Sequence, residues 1–313
     1  MEAYLIATAC TKFEKKPDQT FKDLTKEVYC DLLKSAKVEN GDMIGQAWFG
    51  NCGMGTFGQN NIRGQVCFTP LVQRKLFPER VGIVNVEGGC ATGSMAFHGA
   101  WKDVVSGTED VSLAIGVEKI YQPDKPEKIQ EIYDGGIDQF DRDEWLDFYK
   151  SIGDQLDKPF DPENKNGTIF MDTYGLQALW HMKTYGTTQR QIAVAASKNH
   201  FHGSLNNKAQ YQFQVSINGV LNDREISYPL TRSMCAPIGD GAAAALICSE
   251  KGLRHFPTEI QKSAIKIKAS VLSGGKYRNP HEPGLSRVAA EKAFRQAELV
   301  PKDVNIVEVH DAT

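Results

Sequence analysis

Hydrophobic positions along the chain switch between two periods. Ala3 to Cys10, Ile44 to Cys52, Val81 to Val86 and Val111 to Val117 are short apolar runs bounded by turn residues, and each predicts a buried strand. Between them the spacing becomes that of a helix. Phe21 to Ala36 places Leu24, Val28 and Leu32 on one face, and Thr20 with Asp23 has the form of a capping box. A second helical stretch runs around Gln65 to Leu76. A third, Ala91 to Val105, is apolar on nearly every side and predicts a buried helix. Strand and helix in alternation predict a layered α/β fold with a largely parallel sheet.

The pattern dissolves from Tyr121 to Asn166. That run, with "QPDKPEK" and "DQFDRDEWLDFY", is acidic and aromatic and has too little periodicity for a domain of its own. Long ordered loops usually serve function, so it predicts an irregular insertion packed over a functional face. Its many rings need something to pack against, while Asp138, Asp141, Asp143 and Glu144 should stay outward or meet a basic partner. Helices are expected at Asp172 to Tyr185 and Gln189 to Asn206, the second capped by Thr188 and Gln191. "GDGAAAALICS", residues 239 to 249, predicts a tight turn and a strand of small residues that a central helix can approach closely. A new unit is expected near Ile265, with a strand to Val271, a helix from Ser286 to Ala297 and a buried strand from Val304 to Val309.

Composition narrows the class. A chain of 313 residues can bury a large core and suggests two domains or one duplicated fold. A net charge of −3 gives no reason to invoke nucleic acid or an acidic membrane surface. The longest wholly apolar run, Ala242 to Cys248, is too short for a bilayer, and Met1 to Ile6 reads as a strand rather than a signal peptide. Seven cysteines, an odd number with no C-x-x-C pair, fit reduced thiols in a cytoplasm. They argue against a disulfide framework and against zinc. His200 and His202 form an H-x-H pair without a third ligand nearby, so no metal is expected.

One cysteine stands apart. "VNVEGGCATGSMAFHGA", residues 84 to 100, puts Cys90 where a buried strand turns into a buried helix. Gly88 and Gly89 allow a sharp turn and a close backbone approach. A thiol at the first turn of a helix meets unpaired N–H groups and the positive end of the helix dipole, which favour a thiolate. The alternative is a small apolar residue filling a core. The strand–turn–helix setting favours an exposed nucleophile, by the logic of the serine elbow of hydrolases.

Three stretches in this order resemble the thiolase superfamily. "NVEGGCATGS" resembles the block around its acyl-accepting cysteine, "GDGAAAALI" the block that closes its first half, and "VEVHDA" the loop that carries an active-site Asn or His. "KNHFHGSLNNKAQYQFQ" is similar to the sterol-carrier branch and its lipid-transfer relatives. The resemblance implies an α/β thiolase fold of two similar halves, each a mixed five-stranded sheet, in an αβαβα layering with two buried central helices. Residues 1–256 would form the first half, with the 121–166 insertion covering the active site, and 257–313 the start of the second.

The same resemblance implies an activity. Cys90 would attack the ketone of a 3-oxoacyl-CoA, acetyl-CoA would leave as an enolate, and free coenzyme A would then take the acyl group off Cys90. Coenzyme A is then a co-substrate and no cofactor stays bound. By position His310 matches the residue that helps hold the thioester oxygen, usually through a water. Phe170 and Met171, in "GTIFMDTYG", match a loop that lines the acyl pocket, and Ala236 falls near a position that touches the pantetheine arm. A homodimer is implied. Members of this branch often pair with a small OB-fold protein carrying a zinc ribbon, and some such pairs act on aromatic acyl groups such as benzoylsuccinyl-CoA.

The remaining catalytic residues of the family are a His in a G-H-P-type turn and a second Cys in a C-x-G-type turn. Both would lie beyond Thr313, so a truncated chain is expected, with a partner chain completing the fold as the alternative. Three other readings stay open. A lipid-transfer-type retro-aldolase cleaves β-hydroxyacyl-CoA without an acyl-cysteine, and the intact cysteine motif speaks against it. A ketoacyl synthase places its catalytic His much closer to the nucleophile than His310 lies to Cys90. A non-catalytic subunit would scaffold a partner, which Cys90 also weakens.

Overall fold

The computed structural model describes residues 1–163 and 167–313; the end of the expected insertion, 164–166, lies outside the described residues. By packing, the chain forms two units. The first comprises Met1–Pro123, Gly239–Ser273 and Ala289–Pro301, and the second Asp124–Ile238, Gly274–Val288 and Lys302–Thr313. This division by packing is a different one from the halves 1–256 and 257–313 that the resemblance implies.

The first unit is built on one sheet. Its strands are β1 (Tyr4–Cys10), β2 (Gln46–Gly50), β3 (Gly82–Val86), β4 (Val111–Glu118), β7 (Gly241–Cys248) and the two-residue β8 (Ile265–Lys266). They lie in the order β3-β2-β4-β7-β1-β8. β2 pairs in parallel with β3 and with β4, as strands joined by helical crossovers do. The expectation of a largely parallel sheet needs correction, because β7 runs antiparallel to both β4 and β1, and β8 antiparallel to β1. The chain enters β7 only after more than a hundred intervening residues, and so long a connection imposes no crossover geometry. The result is the mixed sheet of the resemblance, with a short sixth strand at its edge.

Alternation along these strands sorts the side chains into two layers. Ala47, Phe49, Leu113, Ile115 and Leu246 pack with Leu24, Val28 and Leu32 of α1 (Phe21–Ala36) and with Phe68 and Leu71 of α2 (Arg63–Gln73). Trp48, Ala114 and Ile247, from the same strands, meet Ala96, Ala100 and Val104 of α3 (Thr92–Ser106) on the other face. α3 lies very close to the sheet: a Cβ at Gly99 would stand 2.2 Å from the Trp48 ring. The Trp48 indole N–H and the Ser112 hydroxyl both donate to Asp103 Oδ2, at 2.7 and 2.8 Å, fixing α3 in register with β2 and β4. Asp240, fully buried before β7, accepts the backbone N–H groups of Ile120 and Tyr121 at 2.8 Å each and that of Lys16 at 2.9 Å. That is the structural work of the "GDG" turn.

The second unit is largely helical. It holds α4 (Pro126–Asp134), α5 (Arg142–Gln155), α6 (Ile169–Tyr185), α7 (Gln189–Leu205), the short α8 (Ile217–Leu221) and the hairpin of β5 (Glu225–Ser227) and β6 (Leu230–Thr231). The irregular insertion expected at 121–166 is therefore corrected to two helices. Trp145, Ile152, Leu156 and Phe160 are buried with Ile169, Leu176 and Leu179 in one cluster, so the rings pack within their own unit. Asp138, Asp141, Asp143 and Glu144 are exposed. Asp172, buried in the first turn of α6, accepts from Lys158 Nζ at 2.8 Å, from the Asp161 N–H at 2.7 Å and from the Ser227 hydroxyl. One carboxylate thus ties the segment after α5 and the β5–β6 hairpin to α6.

Two expectations toward the C-terminus fail. Of the strand foreseen from Ile265 to Val271, only Ile265–Lys266 forms strand, followed by one bond from the Ile267 N–H to the Ala3 carbonyl at 2.9 Å; the chain then runs without regular structure to α10 (Leu285–Ala297). Val304 to Val309 is not a buried strand either: Ile306 is 81 % exposed and Val307 and Val309 are 69 % exposed. A strand exists only by pairing its backbone N–H and C=O groups, and among the described residues no strand pairs with 304–309. The remaining helix, α9 (Thr258–Ser263), precedes β8.

Candidate active site

Cys90 lies just before the helix rather than in its first turn. β3 ends at Val86, a 3-10 turn covers Gly89–Ala91, and α3 begins at Thr92. Cys90 is exposed on that turn, at the N-terminal end of α3. Gly89 has φ +58, a left-handed conformation that a side chain would strain. The turn is pinned from both sides. The Gly89 N–H donates to Glu87 Oε1 at 2.7 Å, and the Gly88 N–H to Thr92 Oγ1 at 2.9 Å. The Thr92 hydroxyl in turn donates to the Gly89 carbonyl at 2.7 Å. The backbone that carries Cys90 is thus closed on itself, while the Cys90 side chain stays out in the open.

A second cysteine, which the sequence reading does not single out, braces this turn. The Cys52 thiol donates to the Gly89 carbonyl at 3.2 Å and lies 3.0 Å from Thr92 Oγ1. Burial pushes its pKa up to about 11, so it is a neutral thiol at ordinary pH. Behind it stands Glu118, whose carboxylate accepts the N–H of Cys52 at 2.9 Å, the N–H of Gly53 at 3.2 Å and the Asn51 amide at 3.0 Å. Burial raises the Glu118 carboxyl above the usual carboxylate range, and those N–H groups pull it partly back. Register brings these residues together. Gly50 sits opposite both Val86 and Gly116, so the chain just past three parallel strands meets at one end of the sheet. Function gathers at the carboxyl ends of such strands. A sequence reader could have used that signal, but Ile44 to Cys52 read as strand to its last residue.

The other expected site residues belong to the second unit. Phe170 and Met171 lie in the first turn of α6 rather than in a loop. Phe170 packs edge-on against Tyr133 at 6.3 Å between ring centroids. His310 is exposed, with its ring 6.4 Å from Tyr174, one helical turn along α6 from Phe170. Ala236 is exposed and its N–H donates to the Ala312 carbonyl at 2.9 Å. The structure therefore sets His310 beside the second turn of α6, with Ala312, two residues on, bonded to Ala236. His200, of the H-x-H pair, places Nε2 3.1 Å from the Ser233 carbonyl and stacks on Tyr211. All seven cysteines are free thiols. Among the described residues no group of three or more His, Cys, Asp or Glu could hold a metal ion, and no helix is long and apolar enough to cross a membrane.

The thiolase N-terminal domain pattern matches residues 3–222 of this chain. The chain belongs to the thiolase family. An acetyl-CoA acetyltransferase of Methanothermobacter thermautotrophicus is 29% identical over 317 residues, which cover 98% of this chain and 73% of the relative. The benzoylsuccinyl-CoA thiolase subunit BbsB of Thauera aromatica is 28% identical over 315 residues, covering 99% of this chain and 72% of that one. Sterol carrier protein 2 of Gallus gallus is 27% identical, over 98% of this chain and 53% of its own. Among solved structures, an Ltp2–ChsH2(DUF35) aldolase superposes with a TM-score of 0.68 at 16% identity, over 97% of this chain and 71% of that one. At that identity the likeness establishes the thiolase fold. A thiolase function, and with it acyl transfer, goes with membership of the family.

Proposed function

We propose that this thiolase cleaves or forms a 3-oxoacyl-CoA with Cys90 as the acyl-carrying residue and coenzyme A as co-substrate. The observation that carries the reading is the elbow at Gly88–Thr92. It holds one exposed thiol at a helix N-terminus on a backbone locked by Glu87, Thr92 and Cys52. In the first half-reaction the Cys90 sulfur bonds to the ketone carbon, the C2–C3 electron pair leaves with acetyl-CoA, and the resulting enolate takes a proton. In the second, the thiol of coenzyme A displaces Cys90 and releases the new acyl-CoA. For His310 we propose the family role of holding the thioester oxygen, for Phe170 and Met171 contact with the acyl group, and for Ala236 contact with the pantetheine arm. The relatives support acyl-CoA substrates, since the names of two of them contain acetyl-CoA and benzoylsuccinyl-CoA.

The test is to mix the protein with a 3-oxoacyl-CoA, quench in acid and map the peptides by mass. An acyl group on Cys90 is expected. A β-hydroxyacyl-CoA cleaved without any acyl-protein would favour the aldolase chemistry named for the Ltp2–ChsH2 structure. No turnover of either substrate would leave the non-catalytic reading. A homodimer in the cytoplasm is part of the proposal, because a closed twofold is the commonest assembly of soluble proteins. Light scattering at micromolar concentration should read twice the 34.7 kDa of one chain, and a single-chain mass would refute it. A small DUF35-type partner is supported by the assembly named for that same structure and by the subunit name of BbsB.

A further inference from the structure

The second unit contains a cavity of about 1110 Å³ between α5 and α6 on one side and the segment 276–287 on the other. That is as large as pockets for drug-sized ligands become. Two ring pairs join the walls. Phe148 of α5 meets Tyr277 at 4.9 Å between centroids, and Trp180 of α6 meets His281 at 6.3 Å. The rings line the space and leave it open. Charge among the lining residues is one-sided, with Lys276, Arg278 and Arg287 against the single acid Glu282. Glu282 already accepts from Lys276 Nζ at 2.6 Å and from the Asn279 N–H at 2.9 Å, and both hold its carboxyl below the usual range. Arg278 donates to the Glu282 backbone carbonyl at 3.3 Å, an acceptor without formal charge. Trp180 brings an indole N–H that is buried and has no acceptor among the described residues.

These features select a ligand chemistry. A cation would find only Glu282, which is taken. An alkyl chain would have no use for the guanidinium groups, and a small aliphatic acid none for the rings. We infer that this cavity binds a planar aromatic group carrying an anion, with the ring among the aromatic walls and the carboxylate or phosphate at Arg278. Rings pack well in offset or edge-on contact, and a guanidinium matches both anions with two parallel hydrogen bonds. The inference goes beyond the thiolase reading and does not need Cys90.

Calorimetric titration of the protein with phenylsuccinate and with adenosine 5′-phosphate tests it, with succinate and adenosine as controls lacking the ring and the anion. At least one of the two anionic aromatics should bind about tenfold tighter than its control, the size of one packed ring for phenylsuccinate and of one charge-assisted hydrogen bond for the nucleotide. Arg278→Gln should weaken the anionic aromatic that binds by about tenfold and Arg278→Lys should restore most of its binding, with far-UV circular dichroism unchanged in both. Trp180→Phe should weaken binding through the lost N–H. Preference for phenylsuccinate alone would mark the source as an aryl acid, and preference for the nucleotide alone a nucleotide. Controls that bind as well as the anionic aromatics, or an Arg278→Gln protein that binds as wild type, would overturn the inference. Cys90→Ala should leave the titration unchanged; if it abolished binding, the ligand would sit at the elbow and the inference would fail.

Discussion

Cys90 is exposed on its turn, whereas the Cys52 thiol beneath it is part-buried, donates to the Gly89 carbonyl at 3.2 Å and has its pKa pushed up to about 11. The contrast supplies an internal control for reactivity. At neutral pH iodoacetamide should label Cys90 first, and acyl-CoA should protect it, while Cys52 should label only as pH climbs toward 11. Cys90→Ser should lower thiolysis by several orders of magnitude, because a hydroxyl without a suited base is a poor nucleophile. Near-full activity in that variant would end the acyl-cysteine mechanism. The difference also explains what a reader of the sequence could see. The signal for Cys90 is local, since two glycines and a switch of period adjoin it. Cys52, Glu118 and Thr92 are brought together only by the parallel register of β2 with β3 and β4, which no short stretch of sequence displays.

Among the elements, those announced by local chemistry came out as expected. α1 starts at a capping box between Thr20 and Asp23, and α7 at one between Thr188 and Gln191. Both are satisfied by residues three apart. α5 is hard to read from the sequence because its outer face is so acidic that its few buried positions, Trp145 and Ile152 with Leu156 just past its end, do not stand out, and α4 buries no residue at all. The segment 304–309 erred the other way: its apolar alternation is plain, but no strand pairs with it. If the insertion is core, as its buried cluster indicates, truncating it should hurt. Trp145 packs against Tyr149 at 4.4 Å and Phe160 at 5.9 Å between centroids. Trp145→Ala should therefore cost about 3–5 kcal/mol in denaturant unfolding. Phe140, fully exposed nearby, should change stability by less than about 0.5 kcal/mol on truncation. Equal effects from the two substitutions would mean that α5 is a surface strap and not part of the core.

Across the whole molecule, what the sequence could not convey is long-range order: β7 inserts between β4 and β1, placing Cys248 beside Val111 and Tyr4. That insertion buries the Cys248 thiol, and buried thiols couple the fold to pH. Burial raises Cys52, Cys67 and Cys235 from an ordinary 9.0 to about 11 and Cys248 to about 12. In the unfolded chain each would release its proton near pH 9, whereas in the fold each keeps it. The stability tied to these protons is therefore complete below pH 9 and is lost as pH rises through 9 toward 11 and 12. Melting temperature should hold steady from pH 7 to 8.5 and then fall. Buried Tyr29 and the Glu2-bonded Tyr4 are also raised, so phenols add to the fall at the upper end. A substitution separates the two contributions. Cys67→Val keeps an apolar group of similar volume where Cys67 is 1 % exposed, but removes one titrating thiol. Its melting temperature should fall less steeply than that of the wild type between pH 9 and 10.5, whatever its value at pH 7. Parallel curves for the two proteins would show that Cys67 does not couple folding to pH.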